Sequence, residues 1–97
     1  MTQRLESSEQ LLGGYLHQDW PEEFSTADAA VAAMIDAEPR ALREAAAAEI
    51  DGLLLAEKDE EALRRALIDE AGCYYDPAVD GSTYREWLSE LATRLAR

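Results

Sequence analysis

The stretch Thr83-Tyr84-Arg85-Glu86-Trp87-Leu88-Ser89-Glu90-Leu91-Ala92-Thr93-Arg94-Leu95 decides the fold. Thr83 and Glu86 stand at capping-box spacing, where hydroxyl and carboxylate each accept a backbone N–H left without a partner at a helix start. Tyr84, Trp87, Leu88, Leu91 and Leu95 then recur at helical spacing and fall on one face. Trp87 lies on that stripe, so it is read as a core residue. This is the cleanest amphipathic signal in the chain.

Moving toward the N-terminus, the same period returns. Asp59 suits the cap of a helix carrying Leu63, Ala66, Leu67 and Glu70, which Gly72 ends. Pro39 suits the first turn of a helix to about Ala56 that buries Leu42, Ala46, Ile50, Leu53 and Leu54. Ser25 or Thr26 caps another, through about Ala37, with Ala27, Ala30, Val31, Met34 and Ile35 on its apolar face. Asp28 takes the third helical position if Ser25 is the cap. The first segment presents Leu5, Leu11, Leu12, Tyr15 and Leu16, and Ser7 or Ser8 is its expected cap. Gly13-Gly14 interrupt it at a cost of about 1 kcal/mol each against alanine, which either loosens the helix or admits a close neighbour. Trp20-Pro21 is expected to end the segment, because a residue before proline avoids the α region, and Glu22-Glu23-Phe24 to form a linker. No stretch alternates at period two for long enough to be a strand. The expectation is an all-α protein: one domain over residues 1–97, folded as a compact orthogonal or irregular bundle of about five helices.

Composition narrows the function. With 97 residues there is room for a single core, and a chain of this size buries only about 60–65% of its unfolded surface. Nine Lys+Arg against 21 Asp+Glu leave a net charge of −12. That excludes a nucleic-acid binder working through a basic face and a polybasic membrane anchor. The hydrophobic fraction of 47% is too high for an acidic disordered chain, although 18 of those residues are small alanines. Leu, Ile and the seven aromatics must therefore carry the core. The single Cys73 has no disulfide partner within the chain, and Met1 to Ser8 lack the apolar run of a signal peptide. The longest apolar run, Ala29 to Ile35, is seven residues against the ~20 that span a bilayer. A cytoplasmic location without membrane contact is expected.

His17, Asp19 and Cys73 are metal-capable types, but a zinc site needs four ligands and the chain has one His and one Cys. No metal or cofactor is expected. His17 is read as bonding a helix end or loop backbone. A Cys73 nucleophile with His17 as base would lack an orienting third group, and the aromatics that follow Cys73 favour a buried small hydrophobe. The pairs Glu22-Glu23, Asp59-Glu60-Glu61 and Asp69-Glu70 read as solvated faces. No Gly-rich phosphate loop and no His-Glu-x-x-His motif occur. The chain is not expected to be an enzyme.

Two clusters remain. One is Leu11-Leu12-Gly13-Gly14-Tyr15-Leu16-His17-Gln18-Asp19-Trp20. The other is Cys73-Tyr74-Tyr75-Asp76-Pro77, then Asp80-Gly81 and Tyr84-x-x-Trp87-Leu88. As scaffold, Trp20 and Trp87 are core, Pro77 sits in a turn, Asp76 caps it, Gly81 takes positive φ, and His17 or Asp19 ties the two clusters together. As a surface, Tyr74, Tyr75, Asp76 and Asp80 form an exposed aromatic-acidic patch for a partner, since aromatics concentrate at interface hot spots.

These clusters resemble a family of contact-dependent growth inhibition immunity proteins, over roughly residues 5 to 95. The two ends carry the specific motifs; the position of Leu16 is often aromatic in the family pattern. The resemblance implies a small helical cytoplasmic protein that binds and neutralises a cognate toxin domain, often a nuclease, without catalysis of its own. Physical reasoning runs the same way. A nuclease cleft must hold a polyanion, so it is cationic and attracts a partner at −12. Expected contacts are Asp19, Glu22, Glu23, Glu60, Tyr74, Tyr75, Asp76 and Asp80, with Glu57, Asp59 and Glu61 as further acids. The motif residues His17, Trp20, Pro77, Gly81 and Trp87 are read as structural. The free protein is expected to be monomeric, with a basic protein as partner and no direct nucleic-acid contact. A generic acidic interaction domain or nucleic-acid mimic is the alternative, and a small enzyme using His17, Asp19 and Cys73 the most remote.

Overall fold

The longest helix, α4 (Arg40–Ala56), lies against both α6 (Tyr84–Leu95) and α1 (Glu6–Tyr15), its two most extensive contacts. It turns Ala46, Ala47, Ile50 and Leu53 inward. Against these, α6 places Tyr84, Leu88, Leu91, Ala92 and Leu95, and α1 places Leu11 and Leu12. Small side chains in a helix contact shorten the interaxial distance, so the alanines draw the neighbours close. Around this centre lie α2 (Trp20–Glu23), α3 (Ala27–Ala37), α5 (Glu60–Asp69) and a 3₁₀ turn at Pro77–Asp80. These positions come from a computed structural model that describes residues 5–57 and 59–97. The start of the N-terminal stretch read above, residues 1–4, lies outside the described residues. Among the described residues there is no strand, and no helix is long and apolar enough to cross a membrane.

The all-α expectation holds, with six α-helices among the described residues in place of about five. The additional one is α2. Leu16 already terminates α1, and Pro21 opens a new helical turn with Trp20 ahead of it. Avoidance of the α region before proline is a preference, and here the start of a helix outweighs it. Glu22 and Glu23 thus belong to a helix, and only Phe24 remains of the expected linker.

Helix starts divide into local and tertiary kinds. The Thr83–Glu86 capping box is complete: the Glu86 N–H donates to Thr83 Oγ1 at 3.1 Å, and the Thr83 N–H to Glu86 Oε1 at 3.2 Å. Asp59 accepts the Glu61 N–H at 3.0 Å. Thr26, and not Ser25, caps α3 by accepting the Ala29 N–H at 3.0 Å, which moves Asp28 to the second helical position. In α1 neither serine caps. Their N–H groups donate instead to Glu49 of α4, at 3.0 Å from Ser7 and 2.9 Å from Ser8. The buried Ser8 hydroxyl adds a third bond to the same carboxylate at 3.0 Å.

The Gly13-Gly14 pair serves two different ends. A Cβ placed on Gly13 would lie 2.8 Å from the Ala71 carbonyl oxygen, so only glycine lets the chain after α5 pass over α1. Just beyond, Gly72 turns at φ +67°, and the Tyr74 N–H donates to the Leu16 carbonyl at 2.8 Å. Around Gly14 nothing lies within 4 Å. Gly13→Ala should therefore cost about 1–3 kcal/mol through a backbone clash. Gly14→Ala should stabilise by roughly 0.4–1 kcal/mol by restricting the unfolded chain. Urea denaturation of the two variants checks the opposite signs.

Candidate functional site

The turn-rich stretch from Cys73 to Gly81 folds over one edge of the bundle and leaves a groove beside it. Asp76 accepts the Ala78 N–H at 3.0 Å and Gly81 takes φ +77°, which closes the 3₁₀ turn over a buried Pro77. Tyr75 sits beneath it. Its ring meets Trp20 edge-on at 5.7 Å between centroids and Trp87 at 5.0 Å with a 60° tilt. The Tyr75 hydroxyl donates to Asp80 Oδ2 at 2.5 Å, holding that carboxylate at the groove's edge. Burial, reinforced by this bond, pushes the phenol well above its ordinary pKa. Burial likewise lifts Tyr84, whose hydroxyl points to the Tyr75 carbonyl at 3.5 Å, to about 12.

The groove runs between the start of α3, the outer face of α6 and this turn. Its main cavity, about 510 Å³, is lined by Asp28, Tyr75, Asp80, Trp87, Glu90 and Arg94, among others. A second hollow of about 390 Å³ shares Tyr75 and Asp80 and continues past Trp20, Tyr74, Asp76 and Val79. Arg94 pairs with Asp28 at 2.7 Å at one end. The groove is thus aromatic at its base and acidic along its sides.

The residues anticipated from the sequence meet different fates. Tyr75 was expected in an exposed patch, yet it is only 5% exposed, because it is the ring on which Trp20 and Trp87 both pack. Tyr74, at 49%, does face solvent, and Asp76 and Asp80 are exposed beside it. Trp20 and Trp87 are half-buried at the margin of the core. Asp19, Glu22 and Glu23 lie exposed along α2, next to the Trp20 end of the groove. His17 does not tie the two clusters together. Its Nδ1 accepts the Asp19 N–H at 3.1 Å and its Nε2 meets Glu23 at 3.2 Å, so it braces the turn before α2. The two clusters are joined instead by the Leu16–Tyr74 backbone bond and the Trp20–Tyr75 contact.

Glu60 has a scaffold role that local spacing did not reveal. Its carboxylate accepts the N–H groups of Tyr84 at 2.7 Å and Arg85 at 3.0 Å, capping α6 from α5. The Arg85 guanidinium in turn donates to the carbonyls of Leu54, at 3.2 Å, and Glu57, at the end of α4. Sequence reasoning also missed Asp28, Glu90, Arg94 and Val79. Glu90 and Arg94 follow Trp87 by three and seven positions, a helical spacing that would have placed them beside it. Asp28 joins the site only because α3 packs on α6.

Cys73 is fully buried, and burial pushes its thiol up to about 12. A protonated, enclosed thiol is no nucleophile at neutral pH. Among the described residues no three His, Cys, Asp or Glu side chains gather as a metal-holding group.

A groove with an aromatic base and acidic sides on a helical bundle is the equipment of a binding protein. The family model described as CdiI immunity protein matches residues 4–95, and the chain belongs to that family. It is therefore an immunity protein, which acts by binding a toxin and not by catalysis. Among solved structures it is similar to a chain in the crystal structure of the CdiA-CT/CdiI complex from Y. kristensenii 33638. The two are 28% identical, with a TM-score of 0.84, over 96% of this chain and 94% of that one. No curated protein matches its sequence.

Two outcomes follow from this geometry. Cys73 should resist alkylation at pH 8 in the native protein and react only when urea unfolds it, as followed by mass spectrometry. Glu60→Ala should lower stability by about 0.5–2 kcal/mol, the cost of a lost cap, measured by thermal or urea melting.

Proposed function

We propose that this protein works in the cytoplasm, where it binds and neutralises the toxin domain of a contact-dependent growth inhibition effector. The observation that carries this reading is its likeness, over nearly its full length, to a chain of a complex titled CdiA-CT/CdiI. We further propose that the toxin is a nuclease with a basic cleft, that the free protein is a monomer, and that its contact surface includes Asp19, Glu22, Glu23, Tyr74, Asp76 and Asp80. The net charge of −12 supports a basic partner, because a cationic, polyanion-holding surface attracts an acidic domain over distance. The helix that carries the exposed acids Glu22 and Glu23 also gives Trp20 and Pro21 to the hollow lined by Tyr74 and Val79, which supports a surface of mixed charge and apolar contact.

Coexpression with the toxin domain encoded beside this chain tests the reading: growth is restored if it holds, and continued killing overturns it. In stopped-flow mixing, the association rate should fall steeply from 0.01 M to 0.15 M salt, as the Debye length shrinks from about 30 Å to about 8 Å. The dissociation rate should change less. Glu22→Lys should slow association a few-fold with an unchanged Tm. A salt-independent association rate would remove the basic-partner proposal and leave the immunity function to the growth assay.

A further inference from the structure

Two hollows meeting over Tyr75 make one continuous groove, and its chemistry is specific enough to name what enters it. Resting on the immunity reading above, we infer that the groove receives an arginine side chain of the protein toxin, seated against Trp87 between Asp80 and Glu90.

The charge of the groove points to a cation. Among the described residues, Asp28, Asp76, Asp80 and Glu90 line it against a single cation, Arg94, which Asp28 already holds at 2.7 Å. Glu90 is exposed and makes no ion pair among the described residues. The Asp80 carboxylate is held in place by the Tyr75 hydroxyl and retains accepting lone pairs toward the groove.

The aromatic base selects among cations. The half-buried Trp87, backed by the buried Tyr75 ring with centroids 5.0 Å apart, offers an aromatic surface where a planar guanidinium stacks and donates sideways to carboxylates. A lysine ammonium matches one of these features and not the other. The rim supplies the remaining contact. Of the three large hydrophobics that stand exposed among the described residues, Tyr74 and Val79 both flank the groove, at 49% and 80%. They would cover the aliphatic stem of an inserted arginine and exclude water around it. The 3₁₀ turn that carries Val79 is closed by the Asp76 cap and Gly81, so the rim is formed before binding.

Calorimetric titration of the purified full chain with the adjacent-gene toxin domain tests this. Glu90→Arg and Val79→Ser are expected to weaken binding tenfold or more with unchanged Tm. Asp51→Arg, an equal charge change at an exposed α4 position outside the groove, should shift the Kd less than threefold. Among toxin arginines changed singly to glutamate, one should restore binding to the Glu90→Arg protein. Tight wild-type binding with unaffected groove variants overturns the groove and leaves the immunity reading standing. An Asp51→Arg loss as large as that of Glu90→Arg, or no restoring toxin variant, also overturns it. A wild-type chain that neither binds nor rescues growth removes both.

Discussion

Short helices leave many backbone groups without partners. Each end of an α-helix has up to four such groups, so in a bundle of helices of four to seventeen residues they are a large share of the backbone. This chain satisfies many of them with charged side chains from neighbouring helices. Glu49 of α4 takes the N–H groups at the start of α1, and Glu60 of α5 takes those at the start of α6. Arg85 of α6 closes the end of α4, and Arg43 of α4 donates to the Leu95 and Arg97 carbonyls at the end of α6. Acids meet the positive ends of helix dipoles and arginines the negative ends. The same bonds therefore complete each helix and fix its position in the bundle.

That mutual capping gives the groove firm sides. α6 is held at both ends against α4, which presents the Trp87–Arg94 face outward at a set angle. The chain leading into the turn is then laid over α1, with Ala71 and Gly72 against Gly13, and the turn stretch is bonded to Leu16 through the Tyr74 N–H. Tyr75 reaches between Trp20 and Trp87 only because both supports are in place. Rigidity of this kind suits a protein whose work is binding, since little ordering remains to oppose association. It also divides the acidic residues by task. Glu49, Glu60 and the turn-capping Asp76 serve the scaffold, whereas Glu22 and Glu90 face solvent.

Much of the fold was legible because its signals are local. Apolar spacing, the Thr83–Glu86 box, Asp59, Thr26, Gly72 and Gly81 all act within a few residues of themselves. Their geometry follows from backbone sterics and nearby hydrogen bonds. The same local logic failed at α2, where two proline preferences compete and α1 has already ended at Leu16, four residues before Trp20. It failed again at Ser7 and Ser8, since a glutamate more than forty positions away does the capping.

By itself the sequence determined the helical class, the acidic surface, the turn at residues 76–81 and the two end motifs in which it resembles the immunity family. Periodicity, charge and turn chemistry are properties of neighbouring residues. Tertiary structure alone decided that Tyr75 is buried, that Glu60 caps α6, that Gly13 makes room for Ala71, and that Asp28 faces Glu90 and Trp87 across one groove. Each of these depends on which helix faces lie together, and the packing of α4 against α1 and α6 sets that.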